Sequence, residues 1–208
     1  MATVLSPPEE RVLLQDVSWE TYESLLADQQ DKSAPRLAYD GGSLEIMSPS
    51  GEHEEVNDLF KYLILAIAEE MNLDLRTFGS KTFRRADLAK GFEPDSCFYI
   101  QSVERIGDTR DPDLSVHPPP DLVIEIDLTH PSLDKFPIYA QVGVPEVWIY
   151  SGNRVTIHLL QGSSYSESET SNALPDVTAS RLTHFINEAP KMKLREWLRS
   201  VREWVRSL

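Results

Sequence analysis

The sequence predicts an α/β fold in which a mixed β-sheet is flanked by helices. Strand-sized apolar runs occur at residues 121–127 and 146–150, and a long helical stripe lies between residues 56 and 71. The stripe repeats apolar residues at spacings of three and four, which is the period of an amphipathic α-helix. Helices and strands that alternate along one chain indicate a sheet covered by helices.

The segment before this helix is expected to be irregular up to about Asp16. Ser18 is placed to cap a short helix that extends to Leu26. Residues 36–48 predict a β-hairpin, because Asp40-Gly-Gly42 supplies the positive φ angles of a tight turn. The N-terminal part of the domain therefore carries a hairpin ahead of the long helix.

The elements after the long helix follow from apolar runs separated by turn-forming residues. In order, we expect short strands at 75–78 and 81–84, a strand from Asp95 to Ile100, a loop at 101–119, the strand that contains Glu125, a helix that opens at Pro131 and Ser132 and stops near Gly143, a hairpin of 146–150 and 154–160, and a polar loop at 163–172.

The chain is divided into a domain at 17–188 and a basic amphipathic helix at 189–208. The apolar stripe of this C-terminal helix includes Trp197 and Trp204, and its opposite side carries arginines. Three interpretations stay open, namely packing onto the domain or a second subunit, contact with nucleic acid, and binding to a membrane surface. Two tryptophans on one stripe favour a protein interface.

Composition limits the classes of function. The 208 residues are 40% hydrophobic and 26% charged, which is typical of a soluble globular protein. No apolar run is long enough to span a membrane, and the N-terminus lacks the features of a signal peptide. The single cysteine, Cys97, excludes an internal disulfide framework and a thiolate zinc cluster. We therefore predict a cytoplasmic protein without a membrane partner.

The net charge of −14 argues against a protein that coats nucleic acid non-specifically. Basic side chains are nevertheless concentrated at residues 76–90 and 191–208. An acidic body with two basic clusters is compatible with local binding of a nucleic acid, although it does not require one.

Three carboxylates stand out because they lie on or beside apolar strands. Glu125 and Asp127 are two residues apart and project from the same face of their strand, and Asp95 precedes another strand. Charged groups are costly to bury unless they bind a positive partner. With Lys135 following soon after, these residues suggest a metal site for phosphodiester chemistry.

The same residues carry a resemblance to a known family. The segments Glu93-Pro-Asp95, Pro120-Asp-Leu-Val-Ile-Glu125, Lys135 and Tyr139-Ala-Gln-Val-Gly-Val-Pro-Glu146, followed by Trp148, resemble the Uma2 family (DUF820), which is widespread in cyanobacteria. The resemblance covers about residues 17–160, and the segment that begins at Tyr139 is its most specific part. Members are similar to PD-(D/E)xK restriction endonucleases, so the resemblance implies a restriction endonuclease-like core.

The resemblance implies an endonuclease that depends on Mg²⁺ or Mn²⁺ and hydrolyses nucleic acid, with DNA as the substrate and a homodimer as the assembly. Asp95, Glu125 and Lys135 would be the catalytic residues. Asp95 and Glu125 would bind the ion, and the backbone carbonyl of Ile126 would be a further ligand. Hard oxygen ligands without thiolates suit Mg²⁺.

The sequence departs from the superfamily pattern at one position. The superfamily lysine lies two residues beyond the glutamate, where this chain has Asp127. The resemblance to the Uma2 family implies that the lysine lies on the following helix instead, which matches Lys135. The alternative interpretation is that Lys135 is an ordinary helix lysine exposed to solvent. Asp127 is either a third acidic ligand or a residue that bonds Thr129 or caps the turn.

The first turn of the long helix offers further candidates, Glu52 and His53. A helical wheel places both beside the apolar stripe and directs Glu54 away from it. The alternative is that acidic residues in a first turn favour the helix dipole without any metal. Tyr139 and Glu146 belong to the family signature and are equally consistent with structural roles.

A second function stays open beside the nuclease. The aspartate at the usual lysine position and the acidic surface are also consistent with a catalytically inactive nuclease fold that serves as a binding or regulatory module. The sequence has no Gly-x-Ser-x-Gly motif and no phosphate-binding Gly-rich loop, so serine hydrolases and nucleotide-binding enzymes are set aside.

Overall fold

A computed structural model of the chain describes residues 9–29, 34–128 and 133–208. The elements in chain order are β1 (Glu10–Leu14), α1 (Trp19–Gln29), β2 (Arg36–Asp40), β3 (Ser43–Ser48), α2 (Gly51–Glu70), β4 (Arg76–Thr77), β5 (Phe83–Arg85), β6 (Lys90–Phe92), β7 (Ser96–Tyr99), α3 (Val103–Ile106), β8 (Leu122–Asp127), α4 (Phe136–Val142), β9 (Glu146–Ser151), β10 (Arg154–Gln161), β11 (Ser164–Ser168), α5 (Ala179–Glu188) and α6 (Leu194–Val205).

The strands form two sheets. The larger has six strands in the order β11-β10-β9-β8-β7-β4, and the smaller has five in the order β1-β3-β2-β6-β5. In the larger sheet β8 and β9 are parallel and the other neighbours are antiparallel, so this sheet is mixed. Helix α4 lies between the two parallel strands in the chain, as a parallel crossover requires. The predicted α/β fold with a mixed sheet is confirmed.

Helices cover both faces of the larger sheet. Alternate side chains of β8, among them Leu122, Ile124 and Ile126, belong to the core that α2, α5 and α6 complete. Val123, on the opposite face of β8, packs with residues of α4 and with Cys97. Because Glu125 continues the Val123 face, the fold directs this carboxylate toward α4 and away from the larger core.

Helix α2 confirms the predicted stripe. It begins after Ser50, whose side chain accepts a hydrogen bond from the His53 N–H at 3.2 Å, as an N-cap does. The buried residues of α2 recur at the helical period and include Phe60, Leu63, Ile64 and Ile67. No helix in the described part of the chain is long and apolar enough to cross a membrane.

The structure corrects several predictions near the N-terminus. Residues 10–14 were expected to be irregular, but they form β1, which pairs antiparallel with β3 of the predicted hairpin. The hairpin itself is confirmed, yet it belongs to a five-stranded sheet because β6 adds to its other side. An isolated hairpin is marginally stable, and added strands satisfy its free backbone groups.

Further corrections concern connections after residue 80. Part of the expected loop at 163–172 is an edge strand, β11, whose polar side chains face solvent while its backbone pairs with β10. The expected loop at 101–119 contains a single short helix, α3. The helix predicted to open at Pro131 and Ser132 begins at Phe136, and those two residues lie outside the described part.

Helix α6 packs onto the body of the protein, which is the first of the three interpretations of this segment. Trp197, Val201 and Val205 belong to the larger core. The indole N–H of Trp197 donates to the carbonyl of Phe185 at 2.8 Å. The apolar face of α6 is therefore occupied by its own chain, while Arg202 and Arg206 pair with Glu69 and Glu70 of α2.

Candidate active site

The two carboxylates predicted to bind the ion lie at one end of adjacent strands. Ser96 of β7 pairs with Ile124 of β8, and Asp95 and Glu125 are each one residue beyond this pair at the same end. The Asp95 Oδ2 atom accepts the N–H of Ile126 at 2.7 Å. The Asp95 carboxylate thus lies against the backbone immediately after Glu125, although the residues are thirty apart in the chain.

Glu125 is held by two residues from the start of α4. Its Oε2 atom is 2.7 Å from the Lys135 ammonium, and its Oε1 atom accepts the Tyr139 hydroxyl. Lys135 occupies the N-cap position of α4, so its side chain reaches back toward the end of β8. Burial, together with the charge of Glu125, raises the pKa of Tyr139 well above its ordinary value, which keeps the phenol protonated as a donor.

Asp95 is held by cationic and aromatic nitrogen groups from outside the larger sheet. Its Oδ1 atom pairs with the Arg36 guanidinium and lies 2.8 Å from Nε2 of His53. Nδ1 of His53 is 2.6 Å from a carboxylate oxygen of Glu9. Nε2 of His53 also lies 3.1 Å from the Arg36 guanidinium, so the imidazole joins Asp95, Glu9 and Arg36 in one buried cluster.

Strand β1 contributes Arg11, which joins three carboxylates. Its guanidinium lies 2.6 Å from Glu9, 3.4 Å from Glu45 and 3.0 Å from Asp127. Burial and the nearby charge of Glu125 raise the pKa of Asp127, against the opposing effect of Arg11 and Lys135. Asp127 therefore faces the same region as Glu125, as the strand alternation predicted.

A cavity of about 390 Å³ opens beside these groups. Its polar lining includes Arg11, Glu125, Asp127 and Lys135, and Phe136 forms part of the apolar lining. Asp95 is only 1% exposed and does not line the cavity. The structure thus brings Glu125, Asp127 and Lys135 together at an accessible cavity and places Asp95 behind them.

The network carries more negative than positive groups. Among the described residues, the carboxylates of Glu9, Glu45, Glu54, Asp95, Glu125 and Asp127 outnumber the basic side chains of Arg11, Arg36, Lys135 and His53. Where carboxylates outnumber basic groups, a bound cation lowers their mutual repulsion.

The donor set fits a hard divalent ion. A carboxylate has about four lone-pair sites, of which Asp95 uses three and Glu125 uses two for the contacts above. Mg²⁺ needs only one or two carboxylates because it keeps several waters. The fit therefore rests on Asp95 and Glu125, since no group of three or more His, Cys, Asp or Glu side chains is arranged for a metal in residues 9–29, 34–128 and 133–208.

The first turn of α2 differs in part from its helical wheel. His53 is fully buried in the network, as the wheel indicated. Glu52 is exposed, and its charge acts on Tyr150, whose pKa is raised by burial and then by Glu52. Glu54 was expected to point away, but it pairs with Arg36. The helical wheel could not predict this ion pair. Arg36 comes from the smaller sheet, and the sequence of α2 does not say where that sheet lies.

Other acidic residues of the signature hold backbone groups. Glu146 accepts the N–H groups of Asn172 and Ala173 at 2.8 and 2.9 Å, so it ties β9 to the segment before α5. Glu93 accepts the N–H of Leu37 at 2.6 Å and thereby joins the smaller sheet to the loop before Asp95. Both contacts satisfy buried polar groups.

Sequence reasoning did not identify Arg11 and Arg36 as part of the site. A usable signal was available, because each is a single basic residue within a strand-sized segment that also contains apolar residues. A buried cation requires a buried anion, so each arginine is a candidate partner for the carboxylates of the apolar strands, although the sequence does not say which carboxylate it meets.

Comparison with known proteins supports the fold. A family model described as "Uma2: Putative restriction endonuclease" matches residues 19–187. A solved structure described as a putative nuclease belonging to DUF820 from Anabaena variabilis ATCC 29413 is similar with a TM-score of 0.52 at 15% sequence identity, covering 91% of this chain and 99% of that one. No curated protein is significantly similar in sequence. At this level of identity the solved structure shows a shared fold.

Proposed function

The chain belongs to the Uma2 family, and on this basis we propose that it is a divalent-metal-dependent endonuclease that hydrolyses phosphodiester bonds in DNA. The observation that carries the proposal is the meeting of Asp95 and Glu125 at one strand end, with the Asp95 carboxylate bonded to the Ile126 N–H and Lys135 bonded to Glu125. Separate strands supply the acids, and an ammonium group lies beside a cavity that phosphate can approach.

Asp95, Glu125 and the backbone carbonyl of Ile126 would hold Mg²⁺ or Mn²⁺. The bound ion would polarise the scissile phosphate and lower the pKa of the attacking water. Lys135 stabilises negative charge that develops on the phosphate oxygens, because its ammonium already lies at the cavity. Tyr139 orients Glu125, and Arg36 with His53 orients Asp95.

Asp127 lines the cavity and its Oδ1 atom pairs with the Arg11 guanidinium, so it would bind the ion through a carboxylate that a cation also holds. Glu52 is exposed to solvent, so it would take part in the site only by contacting a bound substrate. His53 acts on the site through Asp95 and does not itself line the cavity.

The test is a cleavage assay on supercoiled and linear duplex DNA, single-stranded DNA and RNA, with Mg²⁺, Mn²⁺ or EDTA. We expect DNA cleavage that needs the ion, and a rate loss of about a hundredfold or more in Lys135→Ala and Glu125→Gln. Absence of cleavage in every substrate and ion, with Asp95→Ala indistinguishable from the parent, would contradict the proposal.

Lys81→Ala is the matched control. Lys81 also forms an ion pair, with the exposed Asp111, but it does not line the cavity beside Glu125. Its replacement should leave cleavage unchanged. If Lys81→Ala loses activity and Lys135→Ala keeps it, the lysine role belongs to Lys81 and the assignment of Lys135 is wrong.

One observation favours the second candidate, a catalytically inactive module. Each oxygen of Asp95 and Glu125 already accepts a donor from the protein itself, so the carboxylates are satisfied without an ion. Titration calorimetry with Mn²⁺ separates the two functions. The nuclease binds the ion in a way that Asp95→Ala and Glu125→Gln weaken, whereas the inactive module shows no such binding. The cytoplasmic location and the homodimer stay predictions.

A further inference from the structure

The cavity beside Glu125, which we call the Glu125 cavity, is only partly polar. Its charged lining residues are Arg11, Glu125, Asp127, Asp134 and Lys135. The other described residues that line it are apolar or aromatic, namely Leu133, Phe136, Tyr139, Val147 and Ile149. Leu133, Phe136 and Ile149 are only partly buried, so apolar surface stays open to the cavity. Apolar walls beside a few charged groups are the usual composition of a ligand pocket.

The register of the larger sheet explains why an apolar wall adjoins Glu125. Glu125 of β8 pairs with Ile149 of β9, so the two side chains are neighbours on one face of the sheet. On the same face, Val147 of β9 pairs with His158 of β10. The wall therefore extends from the Glu125 carboxylate across β9 to β10.

Phe136 separates the Glu125 cavity from a second one. This second cavity, of about 500 Å³, is lined by Phe136 and Tyr165 among others, and we call it the Tyr165 cavity. The centroid of the Phe136 ring lies 5.0 Å from that of Tyr165 and 4.9 Å from that of His158. Phe136 lines both cavities, so it is a wall that the two share.

Neighbouring groups hold Phe136 and its aromatic partners in place. Oδ1 of Asp134 accepts the N–H of Phe136 at 3.0 Å, and the Tyr165 hydroxyl donates to a backbone carbonyl at 2.6 Å. Burial lowers the pKa of His158, against the opposing charge of Glu167, so the imidazole is uncharged near neutral pH. An ordered and uncharged aromatic surface is one on which a nucleobase stacks.

We propose that the two cavities hold two successive nucleobases of the substrate, with Phe136 stacked between them, so that the substrate is single-stranded or locally unpaired. This inference rests on the proposed nuclease function, which places the scissile phosphate at Glu125 and Lys135. The nucleoside attached to that phosphate then lies against the wall of Ile149 and Val147. Proteins that bind single strands use aromatic side chains in the same way.

The size of the Glu125 cavity requires an unpaired base. Its volume of about 390 Å³ is near the lower end for ligand pockets, which suits a single nucleobase and not a base pair. A base inside a duplex is stacked and paired, so it must leave the helix before it enters such a cavity. An intact duplex therefore bears an unstacking cost that a single strand does not.

The charges of the two cavities favour a nucleobase over other occupants. Among the described residues that line the Tyr165 cavity, Asp134 is the only charged one, so no basic side chain there attracts a phosphate. Asp127 and Asp134 line the Glu125 cavity and can accept hydrogen bonds from the amino groups of bases. A purely apolar ligand would cover these carboxylates and offer them no donor.

The test measures binding of fluorescent oligonucleotides to the full chain at low salt and in EDTA, where a metal-dependent nuclease does not cleave. We expect single-stranded DNA to bind about tenfold more tightly than the duplex of the same sequence. Phe136→Ala should weaken single-strand binding by about tenfold or more, because the stacked ring is lost. Phe136→Trp should keep most of the affinity, since it retains an aromatic face.

Phe78→Ala is the matched control. Phe78 is also partly buried in the core that contains Phe136, and its ring centroid lies 5.6 Å from that of Tyr99, but it lines neither cavity. Its replacement should leave binding unchanged. Thermal unfolding shows whether each variant is folded, and Phe136→Leu, which keeps an apolar side chain without a ring, replaces Phe136→Ala if that variant unfolds.

Three outcomes separate this proposal from the nuclease function. Equal binding of single strand and duplex, or equal effects of Phe136→Ala and Phe78→Ala, would overturn it. Cleavage of an intact duplex as fast as of a single strand would also overturn it, while the nuclease function would stand. Single-strand binding that depends on Phe136, without cleavage in any ion, would support nucleobase binding and contradict the nuclease function.

Discussion

Tyr139 and Lys135 hold the two oxygens of one buried carboxylate, Glu125, and their contributions differ. Lys135 supplies a positive charge that can also act on a phosphate. The protonated Tyr139 donates a hydrogen bond that orients the Glu125 carboxylate and carries no charge. Because Tyr139 is almost completely buried, its contact with Glu125 is shielded from water. A carboxylate oriented in this way binds a ligand in one geometry, which is the role of groups that support a metal ligand.

We predict that Tyr139→Phe lowers both Mn²⁺ affinity and the rate of DNA cleavage by about 10- to 100-fold, because Glu125 loses its orienting donor. Calorimetry measures the affinity, and a single-turnover cleavage assay measures the rate. The phenyl ring preserves the packing of Tyr139 against Phe92, whose ring centroid is 5.0 Å away, so the protein should stay folded.

Tyr165→Phe is the control for this prediction. The Tyr165 hydroxyl donates to the carbonyl of Val144 at 2.6 Å and does not touch Glu125. Its loss should leave metal affinity unchanged. Equal effects of the two changes would mean that Tyr139 acts through general stability and not through Glu125.

At the scale of elements, the smaller sheet depends on one close approach to α1. A Cβ atom at Gly91 would overlap the ring and hydroxyl of Tyr22, which is fully buried. Gly91 lies in β6, opposite Tyr39 of β2, and the Tyr22 ring stacks on Tyr39 with centroids 5.0 Å apart. The glycine therefore lets α1 pack directly on the sheet that carries Arg36.

We predict that Gly91→Ala lowers the free energy of unfolding by about 1–3 kcal/mol, because the added methyl group overfills a packed contact. Urea denaturation followed by tryptophan fluorescence measures the change. Tyr22→Phe alone should be close to neutral, since the Tyr22 hydroxyl has no hydrogen-bond partner among the described residues.

The double variant Gly91→Ala with Tyr22→Phe should recover part of the lost stability, because it removes the nearest overlapping atom. If the double variant is no more stable than Gly91→Ala, the contact with Tyr22 is not the cause of the loss.

At the scale of the whole molecule, α6 completes the larger core. Trp197 is fully buried, and Val201 and Val205 contribute to the same core as α2 and β8. The three surface ion pairs between the glutamates of α2 and the arginines of α6 add little, since exposed pairs contribute about 0–1 kcal/mol each. The stability of this packing therefore comes from apolar burial.

We predict that Trp197→Ala lowers the free energy of unfolding by about 3–5 kcal/mol, as removal of a buried aromatic ring does. Trp204→Ala should cost less, because Trp204 is only partly buried against Phe185. Urea denaturation of the full chain measures both. If Trp197→Ala leaves the free energy of unfolding unchanged, the result would support the sequence-based division into a domain at 17–188 and a separate helix at 189–208.

The sequence by itself determined the elements whose signal is local. The stripe of α2 follows from the helical period, and the common face of Glu125 and Asp127 follows from strand alternation. The glycines after Asp40 predict the turn of the hairpin because few other residues adopt positive φ angles. Lys135 was expected near Glu125 because the resemblance implies a lysine on the helix that follows the strand, and their contact of 2.7 Å agrees with this expectation.

Only the tertiary structure decided which charges meet. Arg11 reaches Asp127 across 116 residues, and Arg36 reaches Asp95 across 59. Periodicity states which face a side chain occupies but not which distant element covers that face, so neither guanidinium could be assigned a partner from the sequence. The pairing of β1 with β3 and the position of the smaller sheet against β8 fix these contacts, because a buried carboxylate is stable only where the fold delivers a cation or a donor to it.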